Sequence, residues 1–236
     1  MLLACLAVSC GRQAGETVRT PGVVVFTFDD RGSIPSWLAA RSFFASNGIK
    51  ATFFVDKFDA LSPENIRALR DLASDGHEVG CHGFRHVNAQ QFIEGGGTAD
   101  DYIRAEILPA LDAMAGQGFT PTAFAYPFGR CAEGLDDALL RHFKVLRNSD
   151  SIGVYLTGTN RVVGSRTTES TYSGEWTRDS LDVADSNGWA MVFIGHNIGE
   201  TSGYCLSSYA NLQDVCDYAR SRGMRFCTLS EAVLGD

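Results

Sequence analysis

The sequence predicts an α/β fold, a distorted TIM-like (β/α) barrel of about seven parallel strands, and three observations carry that expectation. Short runs of β-branched and aromatic residues alternate with stretches that carry helix punctuation, which implies parallel strands joined by crossover helices. Seven or eight such units fit the 236 residues, a length that an α/β barrel routinely fills as one domain. Carboxylates and imidazoles follow the ends of several runs, and in a barrel chemistry collects at the C-terminal ends of the strands.

Taken in order, Val23, Val24, Val25, Phe26, Thr27 and Phe28 predict a buried first strand, and residues 51–55 and 78–81 predict the next two. Between these two, Ser62 offers an N-cap and Pro63 a first-turn proline. Ile66, Leu69 and Leu72 face one way, and Gly76 ends the run. Thr98 caps a later helix whose inward face is Ile103, Ile107, Leu111 and Met114. Pro109 lies inside that pattern and should kink or divide the helix, because proline lacks the N–H and clashes with the preceding turn. Strands follow at 122–125, 144–146, 161–164 and 190–194. The last helix, 208–222, presents Leu212, Val215, Cys216 and Ala219 and stops at Gly223; a final strand is expected at 224–229.

Residues 1–20 read as a leader with a short tether, and 21–236 as one domain. Met1 to Cys10 are apolar or small throughout, too short to span a bilayer as an ordinary helix, and end in Ala7, Val8, Ser9 and Cys10. That ending looks like a bacterial lipoprotein cleavage site with Cys10 lipidated; a cleaved, unlipidated signal is the other reading. The expectation is an exported protein, periplasmic or on the cell surface, that meets a membrane only through Cys10. A net charge of −8 argues against a nucleic-acid partner, since phosphate contacts demand a basic face. It suits a neutral or cationic substrate. Without Cys5 and Cys10, the seven cysteines reduce to Cys81, Cys131, Cys205, Cys216 and Cys227, an odd set with no CxxC spacing, so at least one thiol should be free.

The chemistry-bearing residues sit at predicted strand ends. Asp29 and Asp30 follow the first strand, and adjacent carboxylates at a buried strand mouth repel unless a cation or shared proton relieves them. His82 and His86 follow the third strand with Gly83 between them, a loop spacing more than a helical one. An isolated pair of this kind is as easily two surface histidines by chance. Here two neutral imidazoles and one carboxylate make a three-ligand metal set with open positions, in a chain with only five histidines. Side chains alternate along a strand, so Cys81 should pack away from His82 as a buried structural thiol. His77 should be structural at the opposite end, and His142 solvated or capping. Tyr126, Pro127, Phe128 and Gly129 predict a tight turn that leaves the Phe128 N–H free. His196 comes just after the strand at 190–194.

Together these residues resemble the polysaccharide deacetylase family, the NodB-homology or family 4 carbohydrate esterase domain, over about residues 23–234. Thr27, Phe28, Asp29 and Asp30 look like its first motif, which implies Asp29 as general base and Asp30 as metal ligand. The run from His82 to His86 is similar to its metal-binding motif, with Gly83 in place of the usual Ser or Thr that braces the loop. Tyr126 to Gly129 resembles the third motif, implying that the Phe128 amide holds an oxyanion and that Tyr126 and Pro127 contribute to substrate binding. Ile194, Gly195 and His196 resemble the final motif, implying His196 as catalytic acid. Where the family often carries an Arg that orients the base, this chain has Ala125, as in the poly-N-acetylglucosamine deacetylase branch; Arg166, on a later strand, is the expected substitute. The Asp- and Trp-containing fourth motif is not evident, and Trp176 is the candidate sugar-stacking residue. The resemblance implies metal-assisted removal of acetyl groups from a glycan, with zinc the expected ion and cobalt, nickel or iron(II) compatible. A small-amide or ureide hydrolase, allantoinase-like, on the same fold and a non-catalytic glycan-binding barrel are the alternatives; the complete ligand set and retained Asp29 and His196 disfavour both.

Overall fold

Strand β1 (Val23–Asp29) is the hub of the sheet, flanked by parallel neighbours on both sides and buried along nearly all its length. The computed structural model describes residues 20–149, 154–157 and 160–234; Cys10 and the expected leader lie outside the described residues. After β1 come β2 (Ala51–Val55), β3 (Glu78–Cys81), β4 (Ala123–Ala125), β5 (Val145–Arg147), β6 (Tyr155–Leu156), β7 (Val162–Val163) and β8 (Arg166–Thr167). The last four are β9 (Ala190–Gly195), β10 (Asn197–Gly199), β11 (Leu206–Ser208) and β12 (Arg225–Phe226).

The hydrogen-bonded path β9-β1-β2-β3-β4-β5-β7 consists of parallel pairings throughout, with β12 added parallel to β1 and β6 antiparallel to β9. The predicted strand at 161–164 is shortened to β7, which pairs with β5, and just beyond it the chain crosses so that β8 pairs with β9. That single segment nearly closes the barrel. The predicted strand at 224–229 is likewise shortened to β12, because Leu229 already begins the helix Leu229–Leu234. This end is anchored where Leu229 N–H donates to Thr52 Oγ1 and Ser230 Oγ donates to the Glu78 carboxylate.

Alternation along the strands separates two apolar cores. Val25, Phe54, Ala123, Ala125, Val145 and Val192 form the inner one, while Phe26, Phe28, Phe53, Phe124 and Phe193 belong to the larger outer layer under the helices. Each fully buried phenylalanine contributes roughly 1.5–3 kcal/mol relative to exposure. Cys81 packs in the outer layer, as the alternation predicted, and burial raises its thiol pKa to about 12.

The helix Pro63–Ser74 starts at Ser62, whose hydroxyl accepts from Asn65 N–H. Thr98 forms a capping box with Asp101. The expected interruption near Pro109 takes the form of a π-helical turn, Ile103–Ile107, followed by the helix Leu108–Gly116 with Pro109 in its first turn. Ile103, Ile107, Ala110 and Met114 are buried; Ala110 takes the place expected for Leu111, which is only partly covered. No helix among the described residues is long and apolar enough to cross a membrane.

Candidate active site

The C-terminal strand ends surround a cleft of about 370 Å³ lined by Asp29, Asp30, His82, His86, Phe128, Glu169, His196, Tyr204 and Cys205, among others. Among the described residues five non-glycine residues have positive φ, and four of them line this cleft: Asp30 (75°), His86 (63°), Phe128 (60°) and Cys205 (53°). Backbone held in that region is costly and persists where the surrounding structure enforces it, which is common at working sites. A larger depression, about 450 Å³, lies at the N-terminal strand ends beside His77, but its Arg41 and Lys50 both donate to Asp75. His77 is structural there, with Nδ1 accepting the Ala51 N–H. His142 is exposed in the turn after a short helix.

Asp30, His82 and His86 converge, with all three donor atoms within 4.8 Å of one another. Asp30 Oδ1 is 3.2 Å from His86 Nε2 and 3.6 Å from His82 Nε2. His82 Nδ1 donates to the Ala125 carbonyl at 2.8 Å, which fixes the tautomer and leaves Nε2 as a free lone pair. Burial above all lowers the His82 pKa, against the pull of Asp29, so the ring is held neutral as a ligand must be. Burial alone would raise the Asp30 pKa, but the His86 hydrogen bond and the neighbouring imidazoles outweigh it and hold the carboxyl at about 2. The donor set, with the His82 ring held neutral and the Asp30 carboxylate ionised, therefore suits a divalent cation.

Asp29 is 3% exposed and its Oδ1 accepts from Arg147 Nη2. Arg147 is fully buried, with its guanidinium 5.2 Å from the Phe54 ring centre. In the β4–β5 register Arg147 lies directly opposite Ala125. The guanidinium missing from β4 is thus supplied by the facing residue of the next strand. This corrects the expectation for Arg166, which instead lies over Trp176 with its guanidinium 3.4 Å from the ring centre. Trp176 is covered by that contact and is not among the residues lining the cleft.

Two further expectations are corrected. Tyr126 is fully buried, with its hydroxyl donating to Asp136 Oδ1, and Pro127 is buried beneath the turn, so neither faces a substrate. They shape the loop instead. Phe128, 61% exposed, is the residue presented to the cleft, and its N–H has no acceptor among the described residues.

His196 Nδ1 donates to Glu169 Oε1 at 2.8 Å, while Nε2 faces Asp30 Oδ2 at 3.8 Å. Burial opposes protonation of this ring, yet the Glu169 hydrogen bond and the nearby carboxylates prevail and raise its pKa. Glu169 was not singled out in the sequence. The signal was available: it lies two residues beyond β8, a strand end hidden when 161–164 is read as one short strand.

Glu106 was missed for a different reason, since it lies in a helix. It is 1% exposed, and its Oε2 accepts from Arg85 N–H at 2.9 Å and Val87 N–H at 3.4 Å. Its backbone carbonyl accepts from Phe84 N–H. Gly83 has φ +87°, and a Cβ there would stand 2.9 Å from Glu106 Oε2. The carboxylate therefore braces the histidine loop from the space a Ser or Thr side chain would enter.

The family model for polysaccharide deacetylase matches residues 17–142, and the chain belongs to that family. It is a carbohydrate deacetylase, a hydrolase of acetylated carbohydrate. Among its relatives is a chitin deacetylase from Colletotrichum lindemuthianum, 26% identical over 223 residues that cover 92% of this chain and 81% of the relative. The solved chitin deacetylase structure from that fungus superposes with a TM-score of 0.62 at 20% identity, covering 91% of this chain and 88% of its own. A family 4 carbohydrate esterase pseudoenzyme from Bacillus anthracis superposes with a TM-score of 0.59 at 16% identity, covering 90% of this chain and 65% of its own. At such identities the likeness speaks for the fold, and a pseudoenzyme among the neighbours puts the weight of the functional argument on the side chains.

Proposed function

We propose that this chain is a metal-dependent deacetylase of an N-acetylglucosamine-type glycan, exported from the cytoplasm and tethered through Cys10. The observation that carries the reading is the pairing of Asp29 with buried Arg147 beside the Asp30, His82 and His86 set. The similarity to a chitin deacetylase favours an N-acetylated amino sugar over an acetyl ester.

Asp30, His82 and His86 would hold the divalent ion, zinc by its donor set or else cobalt, nickel or iron(II). When bound, such an ion supplies Lewis-acid polarisation of the acetyl carbonyl and of water. Asp29 is the general base: Arg147 occupies Oδ1, so the proton taken from water goes to Oδ2. The free Phe128 N–H offers a donor to the oxyanion, a contribution worth about 2.7–4 kcal/mol for a single such donor. His196, oriented by Glu169, gives its Nε2 proton to the departing amine while the Glu169 carboxylate stabilises the imidazolium. Separate base and acid groups suit a poor amine leaving group.

The test is acetate release from N-acetylglucosamine oligomers and from acetylated xylan, with apo protein, zinc- and cobalt-loaded protein and Asp29→Asn compared. Release from the amino-sugar oligomers that needs metal and vanishes in Asp29→Asn supports the reading. No release from either polymer by metal-loaded protein would sink it.

A further inference from the structure

We infer that Glu169, His196 and Cys205 form a second metal site, specific for a thiophilic divalent ion such as zinc, cobalt or cadmium. One carboxylate oxygen, one imidazole nitrogen and the Cys205 sulfur all lie within 4.8 Å of one another, and none of the three residues belongs to the Asp30, His82 and His86 set. Tetrahedral bonds of about 2.0–2.3 Å hold donors roughly 3.3–3.8 Å apart, so modest side-chain rotation closes the set. Each residue is partly exposed and lines the cleft, which provides an entry path and an open fourth position.

The three donors come from separate segments with independent anchors. Glu169 lies just beyond β8, and Thr168 beside it donates its N–H to the Ile194 carbonyl. His196 follows β9, with its carbonyl accepting from Trp37 Nε1 at 2.7 Å. Cys205 stands in the loop before β11, where its carbonyl accepts from both the backbone and the side-chain amide of Asn197. A thiolate and a carboxylate together balance the charge of a divalent ion. The sulfur makes the site softer than the all-nitrogen-and-oxygen set beside it.

Occupancy has a definite proton balance. The Cys205 thiol loses its proton to solvent, and the His196 imidazolium loses to solvent the Nδ1 hydrogen it donates to Glu169 while keeping its Nε2 hydrogen. A ring coordinated through Nδ1 no longer gains a second proton. Binding at this site is independent of the reaction; its consequence, suppression of turnover by excess metal, rests on the reading of His196 as the acid.

Cobalt titration of the reduced, metal-free full chain tests this without turnover. The first site lacks sulfur, so a thiolate-to-cobalt charge-transfer band in the near ultraviolet reports the second site alone. The band is expected in the wild type, retained in Cys131→Ser and lost in Cys205→Ser. That variant should weaken the second binding event by at least about tenfold while keeping the first, which also verifies its fold. Absence of the band at saturating cobalt overturns the assignment. So does a band that survives Cys205→Ser or disappears in Cys131→Ser.

Discussion

The brace between Glu106 and the histidine loop can be measured as a coupling energy between Gly83 and Glu106. Glu106→Ala removes the acceptor of two amides, one at 2.9 Å and one long at 3.4 Å. A hydrogen bond to a charged group contributes about 1.5–3 kcal/mol, and relief of a buried carboxylate offsets part of that, so a net loss of about 1–3 kcal/mol is expected. Gly83→Ser places a side chain at φ +87°, which costs about 1 kcal/mol or more by itself. Its Cβ also meets Glu106 Oε2 at 2.9 Å. The carboxylate could swing away cheaply were it free, but it is held by Arg85 and Val87, so the clash forfeits those same bonds. Gly83→Ser should therefore lose about 2–4 kcal/mol in wild type, yet only the backbone strain once Glu106 is alanine. The double variant should be more stable than the sum of the singles by about 1–3 kcal/mol. Urea unfolding of all four proteins gives the cycle, and zinc affinity gives a second readout, expected to fall about 10–100-fold in Glu106→Ala because the loop carries two ligands. Additivity within about 0.5 kcal/mol would refute the claim that the two side chains compete for one space.

Three further outcomes are expected. Arg147→Ala should abolish activity and lower stability by about 3–5 kcal/mol, since Asp29 is left buried without a partner. Moving the guanidinium to the register-opposed position, Ala125→Arg with Arg147→Ala, should recover part of both; a swap no better than Arg147→Ala contradicts the pairing argument. Glu169→Gln removes the main group that raises the His196 pKa, so the alkaline limb of the pH–rate profile, where His196 loses its proton, should move to lower pH; an unmoved limb removes His196 as the acid. Burial, aided by the Lys50 charge, holds His77 down at about 4 from its ordinary 6.5. The unfolded chain then binds a proton that the folded one refuses, so stability is intact above 6.5 and falls by up to about 3 kcal/mol as pH drops to 4. Urea unfolding across that range should show the loss in wild type and a flatter dependence in His77→Leu.

Much of the molecule was readable before folding because the signals are local. The alternation of β1 and β3 placed Asp29 and His82 on the inner face and Cys81 on the outer one, and the caps at Ser62 and Thr98 depend only on residues three positions away. Where pairing is short the local signal fails. Residues 162–167 hold two brief pairings with different partners, only the first of them inside the expected strand, and the end of 224–229 turns helical because Thr52 and Glu78 receive it.

The sequence by itself determined the fold class, the order of the motifs and the placing of Asp29, Asp30, His82, His86, Phe128 and His196 at the cleft, because apolar periodicity and strand-end placement are properties of neighbours in the chain. Tertiary structure decided which charges meet. Arg147 lies 118 positions from Asp29 and was passed over for Arg166, since the choice depends on strand register and barrel closure. Glu106, Glu169 and Cys205 carry no motif at all, and they acquire their roles only where three distant segments bring a carboxylate or a thiol within hydrogen-bond or metal-ligand reach of a histidine or its loop.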